Sequence, residues 1–455
     1  MILKDDGGVV ENPFFHRGAI RAPAYFSNRK TEVKRSHEML GKRQSISVTG
    51  PRKIGKTSFL FYISQPGVMQ QHGLDPTRHL FVYINCEGLG NLDREALYFL
   101  ILQEIAEKGS QQGLKLEVPS RLDSYVSFQH SLSSMLARNL KLTLLFDEFE
   151  WLSENRNLGG EFFSGLRALA TRLDIAYVTV SQDPLLNVCQ TSDASALFNI
   201  FSEVKLGLFN KADSQDLIES YMRKTEATLG QQVIDMVLEL GGGHPYFLQV
   251  SGYWALELQY TKGAPREHQD LRILEQSMYS QIESHLKYYW GRLKPEAQYV
   301  LAALSLTLGE EKYREELESL VGLCLIVKED GQYKYFSPLF REFVRRQEVQ
   351  NVLQAGPFVL SMPQQQALLR EKLLPLNARQ FALLAYLMKH QGQVVSDSEL
   401  DREVLGTLDN QHDESLREDR LKSAIRDLRR ALGGEAEYIA NRRGVGYIFQ
   451  VQTED

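Results

Sequence analysis

A glycine-rich segment constrains the fold of this 455-residue chain more than any other feature of its sequence. Residues 50–57 read Gly-Pro-Arg-Lys-Ile-Gly-Lys-Thr and match the pattern G-x-x-x-x-G-K-[ST] at every defined position. A β-branched run at residues 45–49 precedes the segment, and a helix-compatible run at residues 58–63 follows it. Such a loop turns its backbone N–H groups and the N-terminus of the next helix toward phosphate oxygens. The sequence therefore predicts a consecutive strand, phosphate-binding loop and helix.

The side chains of this loop suit a nucleoside triphosphate. Lys56, a predicted catalytic residue, supplies a positive charge for the phosphates, and Thr57 supplies a hydroxyl for Mg²⁺. The predicted nucleotide-binding residues of the loop are Gly50, Pro51, Arg52, Lys53, Ile54, Gly55, Lys56, Thr57 and Ser58.

Two acidic residues follow another apolar run, residues 142–146. A strand that is buried on both faces and ends in carboxylates is typical of the element that completes a phosphoryl-transfer site. We predict that Asp147 holds the metal and that Glu148 is catalytic, orienting or deprotonating water. The nearby Glu150 is expected to be solvated.

Five short apolar runs, separated by longer amphipathic stretches, predict a parallel α/β sheet with crossover helices. The runs are residues 45–49, 80–84, 142–146, 175–180 and 204–206. The fourth run leads into Ser181 and Gln182, at the edge where a polar group of such a sheet reaches the γ-phosphate. These two residues are candidate sensors, and the alternative is that they form a turn before Pro184.

Changes in periodicity divide the chain into five predicted segments. Apolar residues take a helical spacing after the last strand, with one interruption at residues 241–245, Gly-Gly-Gly-His-Pro. Short helices and a hairpin pattern follow. The predicted segments are a P-loop NTPase α/β domain at 1–208, a helical lid at 209–286, a middle winged helix at 287–346, a linker at 347–361 and a C-terminal winged-helix (α+β) domain at 362–455.

Four motifs lie within about residues 15–346. They are the phosphate loop, the pair Asp147 and Glu148, residues 26–32 and residues 243–245. Together they resemble the motifs of the STAND class of AAA+ ATPases, the signal-transduction NTPases related to archaeal ATPases and origin-recognition-like proteins.

This resemblance implies that Arg29 and Pro245 lie near the nucleotide, because the matching arginine and proline do so in that class. The alternatives are a surface ion pair between Arg29 and Glu32, and a helix-breaking turn at Pro245. Many relatives also carry a nucleotide-sensing histidine in the winged-helix segment, whereas residues 335–341 contain none.

The C-terminal segment contains a helix pattern followed by a basic hairpin pattern. In residues 421–432 one stripe is apolar and the adjacent stripe is basic. Residues 443–447, Arg-Gly-Val-Gly-Tyr, then lie in a region that reads as two strands around a turn. This order, over about residues 362–452, resembles the OmpR-type winged-helix DNA-binding domain of response regulators.

The second resemblance implies duplex DNA as a partner, with the third helix in the major groove and the hairpin, or wing, against the minor groove or backbone. The candidate DNA contacts are Lys422, Arg426, Arg429, Arg430, Arg442 and Arg443. The alternative for the helix cations is a solvated face with i,i+4 ion pairs. Because residues 357–455 carry 13 basic and 15 acidic side chains, we expect DNA binding as a homo-oligomer on paired half-sites.

Charge and cysteine content exclude other classes of protein. The chain has 52 basic and 58 acidic side chains, a net charge of −6, which excludes nucleic-acid binding through bulk positive charge. The three cysteines fit neither a disulfide framework nor a zinc site. We find no signal-peptide pattern and no apolar run near the roughly 18 residues of a membrane span, so we expect a cytoplasmic protein without a membrane partner.

These observations predict an ATP-binding, slowly hydrolysing signal-transduction switch, an ATPase with ATP/ADP and Mg²⁺ as ligands. Its nucleotide state controls DNA binding and so transcription. The first alternative is an AAA+ motor or loader, or a mobile-element or defence ATPase, that is targeted to DNA. The second is a signalling scaffold whose winged helix contacts proteins. Because no sensor repeats follow the ATPase segments, we expect the activating signal to enter through these domains or through a partner protein.

Overall fold

The computed structural model describes residues 2–3, 9–10, 12–14, 18–137, 139–185, 195–225, 228–262, 268–304, 311–349, 351–370, 372–406 and 414–451. It contains two compact units, Met1–Gln281 and Ile282–Asp455. Among the described residues, no helix combines the length and the apolar character that a membrane crossing requires. Cys86 and Cys324 are buried, and Cys189 lies outside the described residues.

The first unit is built on a parallel sheet, and the predicted α/β fold is confirmed. Its strands are β1 (Ile2–Leu3), β2 (Val9–Val10), β3 (Ser45–Thr49), β4 (His79–Asn85), β5 (Lys141–Asp147), β6 (Ala176–Ser181) and β7 (Phe201–Lys205). Strands β1 and β2 pair with each other, and the other five form a sheet in the order β4-β5-β6-β3-β7. Because all five run parallel, β3, β5 and β6 end at the same edge of the sheet.

Helices cover both faces of this sheet. They are α1 (Lys30–Gly41), α2 (Lys56–Ile63), α3 (Pro66–Gln71), α4 (Arg94–Gln111), α5 (Tyr125–Leu136), α6 (Glu150–Ser153), α7 (Gly159–Arg172) and α8 (Ser195–Phe198). Successive strand side chains point to opposite faces. Leu144 of β5 belongs to one core with Phe128 and Phe162, and Leu145 belongs to a second core with Phe59. Burial on both faces explains why the strands read as continuous apolar runs.

Four helices follow the sheet in the region predicted as a lid. They are α9 (Lys211–Met222), α10 (Gln231–Gly241), α11 (Pro245–Lys262) and α12 (His268–Arg292). The Asn210 side chain caps α9 by accepting a hydrogen bond from the Asp213 backbone. Helices α10 and α11 approach closely at Gly241, where a Cβ atom would lie 2.4 Å from a Leu248 methyl carbon.

After the end of α12, the second unit continues with short helices and a hairpin, the order predicted for the middle winged helix. The elements are α13 (Pro295–Ala302), α14 (Arg314–Gly322), β8 (Ile326–Glu329), β9 (Gln332–Tyr335) and α15 (Pro338–Arg345). Strands β8 and β9 pair antiparallel. Helix α15 buries Phe340 and Phe343 and carries charged residues on its other side.

The segment predicted as a linker at 347–361 contains two strands, so that prediction is wrong for residues 352–361. The strands β10 (Val352–Ala355), β11 (Phe358–Ser361), β12 (Gln366–Leu369) and β13 (Lys372–Leu374) form an antiparallel sheet. Gly356 and Pro357, which suggested a linker, form the two-residue turn between β10 and β11. Phe358 and Leu360 are fully buried in the core of the C-terminal domain.

The remaining elements form the winged helix predicted at the C-terminus. They are α16 (Ala378–Lys389), β14 (Val394–Ser396), α17 (Asp397–Leu400) with a π-helical continuation (Asp401–Leu405), α18 (Glu414–Leu432), β15 (Ile439–Arg442) and β16 (Gly446–Phe449). The three strands form a sheet in the order β14-β16-β15. The predicted apolar stripe of α18 is buried in the domain core, at Leu421, Ile425, Leu428 and Leu432.

Candidate functional site

The glycine-rich loop connects β3 to α2 at the edge of the sheet where the parallel strands end. Gly50 lies against the backbone, because a Cβ atom there would be 2.5 Å from the Leu206 carbonyl oxygen. Gly55 has a left-handed conformation with φ of 104° and precedes the first residue of α2. Among the described residues no side chain caps this helix. Its first-turn N–H groups therefore suit an anion.

Lys56 is buried in this loop. Its ammonium donates hydrogen bonds to the carbonyl oxygens of Gly50, at 2.7 Å, and Pro51, at 3.1 Å. Burial lowers the pKa of Lys56, and the nearby carboxylates, led by Glu148, oppose that shift. The ammonium is thus held at the loop, and phosphate oxygens can replace the two carbonyls as stronger acceptors.

Asp147 and Glu148 lie at the end of β5, as predicted. Asp147 is 2% exposed, and its carboxylate accepts hydrogen bonds from the Tyr83 hydroxyl, at 2.9 Å, and from the Glu148 backbone, at 3.2 Å. Burial, followed by the Asp147 charge, raises the pKa of Tyr83, so the phenol stays a donor. Glu148 has φ of 52°, and burial raises the pKa of its carboxyl.

The residues present fit a bound Mg²⁺. Thr57 and Asp147 provide a hydroxyl and a carboxylate, which are hard oxygen ligands that this ion prefers. The carboxylates of Asp147, Glu148 and Glu150 each favour the charged form of Lys56 and so raise its pKa. Negative charge therefore predominates around this single ammonium. Thr57 and Asp147 are the residues that would hold the metal.

Glu150 is partly buried and not fully solvated, which corrects the sequence prediction. Its carboxylate accepts a hydrogen bond from the backbone N–H of Gln182, and burial raises its pKa. The cause is the turn after β5, which folds back onto β6: the Phe149 backbone N–H donates to the Val180 carbonyl at 2.9 Å. The hydrogen bond between Gln182 and Glu150 joins residues 32 positions apart, so no local sequence pattern predicts it.

The candidate sensors Ser181 and Gln182 lie at the end of β6. Ser181 is 1% exposed, and its hydroxyl donates to the Asp183 carbonyl at 2.7 Å, as the turn-forming alternative requires. Gln182 is partly buried beside Glu150. The Asp183 carboxylate is close enough to Lys56 to raise the pKa of its ammonium, so this turn flanks the phosphate loop.

Arg29 is 8% exposed, which contradicts the alternative of a surface ion pair. Its guanidinium donates to the Gly207 carbonyl at 2.5 Å and lies 4.4 Å from the centre of the Phe209 ring. Glu32 is the weaker partner, at 3.4 Å. The upstream motif is therefore fixed to the segment between β7 and α9.

The turn before Pro245 reaches the same segment. The Gly243 carbonyl accepts a hydrogen bond from the Phe209 backbone at 2.8 Å. With φ of 73° and a Cβ position 2.4 Å from the Phe209 carbonyl oxygen, residue 243 must be glycine. Pro245 begins α11, whose next residue, Tyr246, lies under the ammonium of Lys53 at 5.5 Å. This places the lid helix against the phosphate loop.

Most candidate DNA contacts are exposed in the C-terminal domain. Lys422, Arg426 and Arg430 lie exposed on α18, and Arg442 and Arg443 lie exposed at the turn of the β15–β16 hairpin. Two of the helix arginines make local bonds, Arg426 to Ser423 and Arg430 to Asp427. Such exposed bonds are weak and exchange readily for phosphate.

Arg429 has a different environment, which corrects its predicted role. Its side chain is partly buried, and its Nε donates to the Ile439 carbonyl at 3.1 Å. The guanidinium also lies 5.8 Å from the centre of the Tyr447 ring. Arg429 therefore joins α18 to the hairpin, and its donors face the protein.

Family comparisons divide the chain in the same way as the motifs. Residues 38–305, more than half of the chain, match the family described as Novel STAND NTPase 2. Residues 370–449 match the family described as Transcriptional regulatory protein, C terminal. The two-component response regulator PhoP of Pseudomonas aeruginosa is 34% identical over 142 residues, which are 30% of this chain. The matched region spans 61% of the length of that relative.

Solved structures show the same fold for the larger part of the chain. The Walker-type ATPase PABY2304 of Pyrococcus abyssi has a TM-score of 0.54 at 19% identity, and the match covers 73% of this chain and 99% of that one. The ORC2 protein of Aeropyrum pernix, in ADPNP–ADP complexes, has a TM-score of 0.51 at 14% identity, with 73% and 96% covered.

Proposed function

Because the chain belongs to the Novel STAND NTPase 2 family and ends in an OmpR-type winged helix, we propose that it is an ATP-binding switch whose nucleotide state controls DNA binding, and hence a transcriptional regulator. One observation carries the proposal: a single chain contains a phosphate loop with its carboxylate pair and a winged helix with exposed cations. The match of residues 370–449 to the family described as Transcriptional regulatory protein, C terminal, supports the DNA-directed output.

The nucleotide site follows from the loop geometry. The N-terminus of α2 and the Lys56 ammonium receive the phosphates, and Thr57 with Asp147 holds Mg²⁺, which neutralises phosphate charge when bound. Glu148 accepts a proton from the attacking water, and its raised pKa brings it closer to neutral pH, where a base of this kind works best. Hydrolysis resets the switch.

Signalling requires that ATP and ADP favour different arrangements of the protein. Arg29 and the turn at Gly243 both bind the segment 207–209, which joins the sheet to the lid. We propose that this segment transmits the nucleotide state from the loop to the lid. Pro245, the first residue of α11, and Lys53 of the phosphate loop take part in this transmission, because α11 contacts the loop there.

DNA contacts come from α18 and the hairpin. Lys422, Arg426 and Arg430 contact the major groove and phosphates, and Arg442 and Arg443 form the wing contact. Binding by a homo-oligomer to paired half-sites increases the affinity of a domain with little net positive charge. We propose a cytoplasmic location for this DNA-binding regulator.

Fluorescence anisotropy on duplex DNA tests the function. The full chain is titrated with ADP and with a non-hydrolysable ATP analogue, beside Lys56→Ala, Arg426→Ala and the charge-matched control Lys389→Ala, an exposed lysine of α16. We expect affinities that differ between nucleotides, lose that difference in Lys56→Ala and fall in Arg426→Ala. Lys389→Ala should behave as the wild type.

Other outcomes lead to the alternatives. No binding at low salt in any nucleotide state contradicts the DNA output and favours a scaffold with protein partners. DNA-stimulated turnover in a ring-sized assembly favours a motor. A DNA affinity that is the same in every nucleotide state contradicts the proposed switch.

A further inference from the structure

Glu150 has no role in binding the phosphates, the metal or the attacking water, yet its carboxylate is partly buried beside the residues that do. It opens α6, directly after the turn that carries the Asp147–Glu148 pair. Its Oε1 accepts the Gln182 backbone N–H, and the preceding Phe149 N–H donates to Val180. Two adjacent hydrogen bonds thus fasten the end of β5 to the end of β6.

The other carboxylate oxygen of Glu150 is buried and has no hydrogen-bond partner within the part of the chain that the structure describes. A buried acceptor in this state is unfavourable unless it serves another purpose. Glu150 follows Glu148 by two residues, and the charges of Glu148 and Lys56 both affect its pKa, so its carboxylate lies beside the proposed nucleotide site. A residue that merely capped a turn would not need this placement.

The segment that Glu150 holds contains the candidate sensors Ser181 and Gln182. Thr49, the last residue before the phosphate loop, pairs in register with Ser181. Asp183 acts on the charge of Lys56. Residues 181–183 therefore flank the phosphate loop, and a fixed backbone there would fix the distance from Gln182 to a third phosphate.

We propose that Glu150 is a positioning residue that holds the Gln182 backbone against the Asp147–Glu148 turn and so lets the site distinguish a nucleoside triphosphate from a diphosphate. The role rests on the proposed nucleotide switch. On this proposal the segment contacts only the third phosphate, so the binding of a diphosphate should be independent of Glu150.

Equilibrium titration with fluorescent ATP and ADP analogues tests this role without requiring turnover. The variants are Glu150→Ala, Glu150→Gln and the control Glu154→Ala, an exposed glutamate at the end of the same short helix. Loss of a charge-assisted hydrogen bond in Glu150→Ala should lower the preference for ATP over ADP about tenfold, with ADP affinity unchanged. Glu150→Gln retains an acceptor oxygen and should retain most of the preference.

Three results would overturn the proposal. An unchanged ATP preference in Glu150→Ala shows that the residue does not position the sensing segment. Equal losses of ATP and ADP affinity in Glu150→Ala show a structural role instead. A wild-type protein that binds ATP and ADP equally removes the switch itself, and this role with it. The Glu154→Ala control separates a general effect of lost negative charge from the specific one.

Discussion

At the scale of single residues, one ammonium and several carboxylates share a buried space. Lys56 is held by the loop carbonyls, and the charges of Glu148, Glu150 and Asp147 all act on it. Burial lowers the pKa of the lysine and raises that of Glu148 and Glu150. Burial therefore makes each of these charged groups costly at neutral pH, and their mutual attraction offsets part of that cost.

Glu148→Gln is expected to abolish hydrolysis and to raise the Tm. Because the folded-state pKa of Glu148 is raised, the unfolded chain ionises first as pH rises, so the wild-type carboxylate lowers stability above its ordinary pKa near 4.5. Glutamine removes that effect. The gain in Tm should be larger at about pH 8 than at about pH 5, where the wild-type residue takes up a proton.

Differential scanning fluorimetry across this pH range measures the effect, with exposed Glu154→Gln as the matched control. A Tm that falls in Glu148→Gln, or a gain that grows toward acid pH, would contradict the role of burial. Phosphate release measures the loss of turnover.

The site residues that follow a local spacing pattern could be predicted from the sequence, whereas those defined by contacts across the sheet could not. The loop 50–57 and the Asp147–Glu148 pair follow from local patterns. Tyr83 binds Asp147 from a neighbouring strand, 64 positions away, and Glu150 binds Gln182 across the edge. No periodicity records such contacts.

At the scale of secondary-structure elements, helix α18 presents within one turn an arginine that packs against the protein and an arginine that faces solvent. Arg426 is exposed, whereas Arg429 binds the Ile439 carbonyl of the hairpin. Both residues belong to the same basic pattern in the sequence, which cannot separate an arginine that packs from one that faces solvent.

The two arginines should therefore respond differently to substitution. Arg429→Ala removes the partly buried hydrogen bond to the Ile439 carbonyl and should lower the free energy of unfolding of the domain by about 1–2 kcal/mol. Arg426→Ala should leave the Tm unchanged and reduce the slope of log affinity against log salt by about 1. Thermal unfolding and salt-dependent anisotropy on both variants check this, and an equal loss of Tm in both would refute the distinction.

The strands β10 and β11 show why a linker was predicted in their place. Each has four residues, and Gly356 and Pro357 between them resemble linker composition. Turn chemistry and linker chemistry use the same residues, so only the pairing of four short strands decides between them.

This sheet also contacts the middle winged helix. The Tyr299 hydroxyl of α13 and the Ser361 hydroxyl of β11 form a buried hydrogen bond at 2.8 Å. Ser361 is completely buried and lies on the sheet face opposite the Phe358 and Leu360 side chains. The two folded parts of the second unit therefore share a polar contact that excludes water.

A double-mutant cycle measures this contact. Ser361→Ala and Tyr299→Phe should each lower the free energy of unfolding by about 1 kcal/mol, and the double variant should cost less than the sum. Exposed Ser319→Ala on α14 is the control and should change stability by less than about 0.5 kcal/mol. Additive effects in urea denaturation would show that the two hydroxyls do not interact.

At the scale of the whole molecule, the chain joins an NTPase of the STAND class to a winged helix of the response-regulator type. Both resemblances drawn from the sequence motifs are confirmed by the family comparisons. The proposed coupling between them depends on the free-energy difference between the arrangements that ATP and ADP favour.

Thermodynamic reciprocity provides the most direct test of that coupling. The affinities of the full chain for ADP and for a non-hydrolysable ATP analogue are measured by titration with and without saturating duplex DNA. If nucleotide gates DNA binding, DNA must change the ATP-to-ADP affinity ratio by the same factor by which the nucleotides change DNA affinity. We predict a factor of at least about 5, the lower end of typical allosteric coupling. A ratio that DNA does not alter would contradict the account.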